Sequence, residues 1–166
     1  QPSKGEKVKQ IYPISNSMYL VRETLQSAPV PQITAVNHIV IIDCSGSMSG
    51  ELSQIRQQLK SKLPKLLNEQ DTVSIIWFSG KGQFGTLIEA EPVATLADLQ
   101  GVNKAIDRWL KPIGLTGFKE PLQEAQALTK RVAQKTGNSI FNLFFMSDGC
   151  DNQWRRSDIL STIEAL

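Results

Sequence analysis

The stretch "IVIIDCSGSMSGE" (residues 39–51) runs four apolar residues into Asp43 and then sets Ser45 and Ser47 at every second position. An unbroken Ile/Val run suits a strand covered on both faces of a parallel sheet. The strand thus ends in three short oxygen-bearing side chains at 1-3-5 spacing, with Gly46 free to ease a tight loop.

Working outward, "HIVIID" (38–43), "TVSIIWFS" (72–79) and "SIFNLFFMSD" (139–148) share this apolar character, and helical spacing fills the gaps between them. Leu52, Ile55, Leu59, Leu63 and Leu66 follow Ser49 at steps of three and four, with Pro64 expected to kink or end that helix. A second helix carries Leu96, Leu99, Val102, Ile106 and Trp109, with Thr95 and Asp98 as its capping pair. A third begins near Pro121 and carries Leu122, Ala125, Leu128 and Val132. A fourth starts around Ser157 with Leu160, Ile163 and Leu166. "GTLIEAEPV" (85–93) follows a glycine-rich turn and predicts an antiparallel edge strand.

Strand–helix alternation predicts an α/β domain with right-handed crossovers. Ligands of such sheets sit beyond the carboxyl ends of the strands, at a topological switch point. Asp43 and Asp148 each stand just past an apolar strand, at that edge.

Residues 1–35 differ from the rest and are set apart as an N-terminal arm. Lys4, Lys7 and Lys9 read as a polar lead-in, and "SMYLVRETL" (17–25) as a strand or edge between prolines. The arm is expected to be partly ordered, with 17–25 as the strand it could add to the domain at 36–166, another segment completing the sheet as the alternative. The last helix reaches Leu166 with no strand after it, which predicts a longer native chain.

The totals bound the class. A chain of 166 residues with 40 % hydrophobic and 20 % charged content reads as one globular domain. Eighteen Lys and Arg against 16 Asp and Glu leave a net charge of +2, too balanced to argue for nucleic acid. No apolar run is long enough to insert in a membrane, and no leader is visible. The chain starts at Gln1, so it reads as processed or as a piece of something longer. Cys44 and Cys150 make no disulfide framework, which favours a cytoplasmic over an extracellular or secreted setting. Cys44 is expected buried, Cys150 on a loop, and His38, Trp77 and Trp109 in the core.

Three chemistries use a 1-3-5 pattern of this kind. An EF-hand calcium loop wants glycine at position 6 and glutamate at position 12, where this chain has Met48 and Gln54, so it is excluded. A Mg²⁺-dependent phosphoryl hydrolase with Asp43 as nucleophile needs an acid–base group within reach. Position 45 is a serine, and the single histidine, His38, precedes the strand. The third is a hard-cation site built largely of hydroxyls, to which Thr116 and Asp148 would add oxygens from neighbouring loops. "GKGQFG" (80–85) matches a dinucleotide fingerprint, but the β-like "TLIEAEPV" follows in place of the required helix, so it reads as a hairpin turn. In "DNQWRRSD" (151–158), Trp154, Arg155 and Arg156 form a candidate rim for an acidic partner.

D-C-S-G-S (43–47), the threonine of G-L-T-G (114–117) and the aspartate of S-D-G (147–149) resemble the metal-ion-dependent adhesion site (MIDAS) of von Willebrand factor A (vWA) domains. The resemblance covers roughly residues 36–166. It implies a Rossmann-like, doubly wound, mostly parallel sheet flanked by helices. Such sheets have about six strands, and only four are read after residue 36, so the last strands are expected to be missing. It further implies Ser45, Ser47 and Thr116 as inner ligands of Mg²⁺ (Mn²⁺ or Ca²⁺ as alternatives), with Asp43 and Asp148 acting largely through water. The expected function is binding of a protein partner that supplies an acidic residue, within a larger assembly and without enzymatic turnover. Intracellular relatives serve as assembly or regulatory subunits with ATPase machines, and secreted ones are adhesins. No nucleic-acid partner is expected.

Overall fold

In the computed structural model, which describes residues 6–15, 18–26, 35–96, 100–149 and 151–165, strands β1 (Glu6–Ser15) and β2 (Met18–Gln26) form an antiparallel hairpin. The arm therefore contributes two strands where one was expected, and the basic lead-in around Lys7 and Lys9 is itself extended structure. β1 is the outermost strand, which explains how Pro13 fits within it: an edge leaves one row of backbone groups outside the ladder. The register also shifts between Pro13 and Ser15.

β3 (Asn37–Asp43) is buried along its whole length and is followed by a single 3-10 turn, Gly46–Met48, leading into α1 (Ser49–Ser61). As the proline implied, this helix stops before Pro64 and restarts as the short α2 (Leu63–Leu66). The break turns Leu66 into solvent. β4 (Thr72–Phe78) and β5 (Phe84–Pro92) form the antiparallel hairpin read from "GKGQFG", with Ser79 N–H donating to the Gln83 carbonyl at 2.8 Å. α3 (Val93–Leu96), α4 (Gln100–Trp109), α5 (Lys119–Thr136), β6 (Phe141–Met146) and α6 (Arg156–Glu164) complete the chain. The expected helix through Leu96 and Trp109 is thus described as two pieces. The Asp98 cap, Leu99, Cys150 and Leu166 lie outside the described residues.

The sheet order is β1-β2-β6-β3-β4-β5. β6, β3 and β4 run parallel, while β5 and the β2–β1 hairpin run antiparallel at the two sides. Strand pleating sends alternate residues of β3 into two separate cores. Val40 and Ile42 pack with Leu52 and Leu59 of α1 and with Val102 and Ile106 of α4. Ile39 and Ile41 pack with Leu122, Ala125, Leu128 and Val132 of α5. Helices on both faces around a parallel centre make the Rossmann-like architecture expected.

His38 is buried as anticipated, its Nε2 2.8 Å from Asp71 Oδ2, at the end of the sheet where β3 starts. Asp71 also accepts the Val36 amide at 2.9 Å, so the pair ties the entries of β3 and β4 together. Trp77 packs against the first core, but Trp109 corrects the expectation: it is 43 % exposed. Trp109 stacks on Trp77 at 5.7 Å between ring centres, with the Arg108 guanidinium 5.3 Å from its own. An indole can cover a neighbour from outside without entering the core.

Candidate metal centre

β3 leads to β4 on one side and has β6 on the other, so its carboxyl end is the switch point of the sheet. Asp43 ends that strand with no exposed surface. Its Oδ1 accepts the Ser45 amide at 2.8 Å, an aspartate turn that reverses the chain immediately after the strand. Its Oδ2 accepts the Ser147 hydroxyl at 2.6 Å. The Ser45 and Ser47 hydroxyl oxygens stand 3.0 Å apart, Ser45 buried and Ser47 open to solvent.

The Thr116 loop is strapped to this turn through backbone. Ile113 N–H donates to the Cys44 carbonyl and Gly46 N–H to the Gly114 carbonyl, both at 2.8 Å. From the other side, the Ser79 hydroxyl donates to the Leu115 carbonyl at 2.8 Å and Gly117 N–H to the Ser79 carbonyl at 2.9 Å. A third loop closes the arrangement: Asn152 accepts the Thr116 amide on its side chain and donates its own amide to the Thr116 carbonyl, each at 3.0 Å. Thr116 is buried, yet its hydroxyl makes no hydrogen bond among the described residues.

Burial pushes the Asp43 carboxyl above its ordinary range, and the Asp148 charge pushes the same way, against hydrogen bonds from Ser147 and Ser45. Asp148 therefore acts on Asp43 across the loops. Its Oδ1 is buried without a hydrogen-bond partner among the described residues. A buried carboxylate oxygen left bare is costly unless something positive meets it. Burial, with the Asp43 charge second, lifts the Cys44 thiol to about 12, so it stays neutral and is no thiolate ligand. Among the described residues no three His, Cys, Asp or Glu side chains cluster in a way that could hold a metal. The candidate donors are two carboxylates and three hydroxyls, a chemistry that would suit a hard cation and not zinc.

Residues 38–150 match the family profile described as von Willebrand factor type A domain. The chain belongs to that family. Its members are protein-interaction modules at the family level. Among solved structures, a von Willebrand factor type A protein from Catenulispora acidiphila is similar over 99 % of this chain and 38 % of its own, with TM-score 0.55 and 15 % identity. The open conformation of the pilus adhesin SpaC from Lactobacillus rhamnosus GG matches over 81 % of this chain and 17 % of its own, with TM-score 0.48 and 18 % identity. The chain thus spans well under half the length of these similar structures. Comparison with curated proteins gives no match.

Within this vWA domain, the first-motif residues Asp43, Ser45 and Ser47 sit together, the Thr116 loop is bonded to the backbone of Cys44 and Gly46 between them, and Asp148 reaches Asp43 electrostatically. Arg155 and Arg156 are exposed at the start of α6. Among the described residues, the cations that contact Trp154 are Lys81 and Lys119, with ammonium nitrogens 4.5 Å and 4.6 Å from a ring centre of its indole. Sequence reasoning also missed Ser147, Ser79, Asp151 and Asn152. Ser147 was legible beside Asp148 in "SDG", and "DN" carries turn chemistry. Nothing in the sequence brings Lys81 next to Trp154.

Proposed function

We propose that this vWA domain is a divalent-cation-dependent protein-binding module. Ser45, Ser47 and Thr116 would hold Mg²⁺ directly, with Asp43 and Asp148 behind them. A bound Mg²⁺ supplies a hard positive charge that neutral hydroxyls leave largely unquenched, so it attracts a carboxylate from a partner. The chain's own residues do the rest. The Asp43 turn sets the two serine hydroxyls side by side, and the Cys44, Gly46 and Ser79 backbone bonds position Thr116. The observation that carries the reading is the bare, buried Asp148 Oδ1 facing a second carboxylate's field at this edge.

We read the site as binding and not turnover. Asp43 is bonded to Ser45 and Ser147, neither of which is an acid–base group near neutrality, and His38 is engaged by Asp71 at the start of β3. Calorimetric titration with Mg²⁺ or Mn²⁺ should show one site in the wild type and none in Ser45→Ala/Ser47→Ala. Circular dichroism checks that the variant is folded. Equal heats for the two proteins would remove the metal site, and with it this function.

A further inference from the structure

Next to the Thr116 loop the structure builds a cationic feature from residues outside the proposed metal ligands. The Trp154 indole lies on Gly117, the residue after Thr116: a Cβ added at Gly117 would sit 3.3 Å from Trp154 Nε1. Lys81, in the turn between β4 and β5, and Lys119, opening α5, both rest their ammonium groups against this one side chain. The aromatic surface attracts each cation, while the two cations repel one another.

Neither lysine has a carboxylate within ion-pair distance among the described residues. Glu120 accepts the Gly82 amide at 2.9 Å. Asp151 takes the Phe118 amide on one oxygen and the Gln153 and Trp154 amides on the other. The two positive charges are thus placed by the ring, with no ion-pair partner among the described residues. Leu115 is 55 % exposed on the strap just before Thr116, with its carbonyl pinned by Ser79. An aliphatic side chain exposed on the same group of loops as the two cations favours a polypeptide over a nucleic-acid strand.

We propose that Lys81, Trp154 and Lys119 form a subsite for a second carboxylate of the bound partner. The partner is then an acidic protein segment with two carboxylates a few residues apart and an apolar side chain that covers Leu115. This rests on the proposed function, in which the first carboxylate goes to the hydroxyl centre, although the subsite itself needs no metal.

The test uses two synthetic ten-residue peptides of glycine, serine and one leucine. One carries a single aspartate and the other adds a glutamate three residues on. Chemical-shift titrations are run with Mg²⁺ and with EDTA, on the wild type and on Lys81→Gln/Lys119→Gln. Lys81 is exposed and Lys119 half-buried, and the amide spectrum of the variant reports whether its fold is kept. The second carboxylate should tighten wild-type binding about three- to fivefold, the range of a surface charge pair, and the gain should vanish in the variant. Equal affinity for the two peptides, with Mg²⁺-dependent binding intact, overturns the subsite and leaves the function standing. A gain that persists in the variant also overturns it. A lysine-dependent gain alongside single-carboxylate binding that EDTA leaves unchanged supports the subsite and removes the metal-dependent function. No binding of either peptide overturns both.

Discussion

Asp43 is the residue on which folding and binding pull in opposite directions. Its place at the end of a fully buried strand withdraws it from water, and the Asp148 charge adds to the penalty on its ionised form. Its folded pKa is therefore raised above the ordinary 3.8. A raised acid binds its proton more tightly folded than unfolded, so its contribution to stability is present below pH 3.8 and is lost as pH rises through the folded value. A cation at the hydroxyl centre would stabilise the carboxylate and restore what was lost. Thermal unfolding of metal-free protein should accordingly lose stability on going from acid to neutral pH, a slope that Asp43→Asn removes. Mg²⁺ should raise the midpoint at neutral pH and lose that effect below the range where Asp43 ionises. A Mg²⁺ effect of equal size at both ends would show that Asp43 is not linked to the ion.

The elements do two jobs: they enclose the cores and they deliver loops to one edge. β3 carries Asp43 out between β4 and β6, and α5 starts three residues after Thr116, so strand ends and helix starts converge on the same edge. α5 in turn ends at Gly137 in the left-handed region, φ 68°, with its amide bonded to the Ala133 carbonyl at 2.9 Å. A Cβ there meets nothing within 4 Å, so Gly137→Ala carries only the conformational penalty. The variant should lose about 1 kcal/mol in urea unfolding, with metal affinity unchanged. A larger loss would mean that α5 shifts against the second core. The same element logic explains the reading of Pro64, whose ring ends α1, and of Pro121, which fits the first turn of α5.

Across the whole molecule, attachment of the sheet's strands is uneven. β6 is in register with β3 from Asn37 to Ile42, whereas among the described residues β2 meets β6 in register at Glu23 with Leu143 and Thr24 with Asn142. Global stability therefore resides in β6-β3-β4 and the two cores they separate. Hydrogen exchange should find β3 amides slowest and β1–β2 amides the first to open. Exchange from β2 as slow as from β3 would show that the hairpin unfolds only with the whole domain. The edge proposed to hold the metal would then lie on the slow part of the sheet, where a site must be stiff to hold hydroxyls ready for an ion.

Much of the fold was legible because its signals are local. Unbroken Ile/Val runs in β3 and β4, a proline within an amphipathic series, and glycines at a hairpin turn each act over a few residues. The arm was less legible, because whether a polar stretch such as Glu6–Ser15 becomes a strand depends on an edge to pair with, and that edge is made by distant β6 through β2. Trp109 was misplaced for a related reason: periodicity says which face a residue is on, not whether anything covers that face. By itself the sequence determined the parallel centre, since unbroken apolar runs act locally, and its three short motifs carried the resemblance to the family and named the candidate oxygen-bearing residues. Only the tertiary structure decided that Ser147 bonds Asp43, that Asp148 keeps a bare buried oxygen, and that two lysines meet at Trp154. Those are contacts between loops far apart in sequence, and only the sheet that aligns the strand ends brings them within bonding distance.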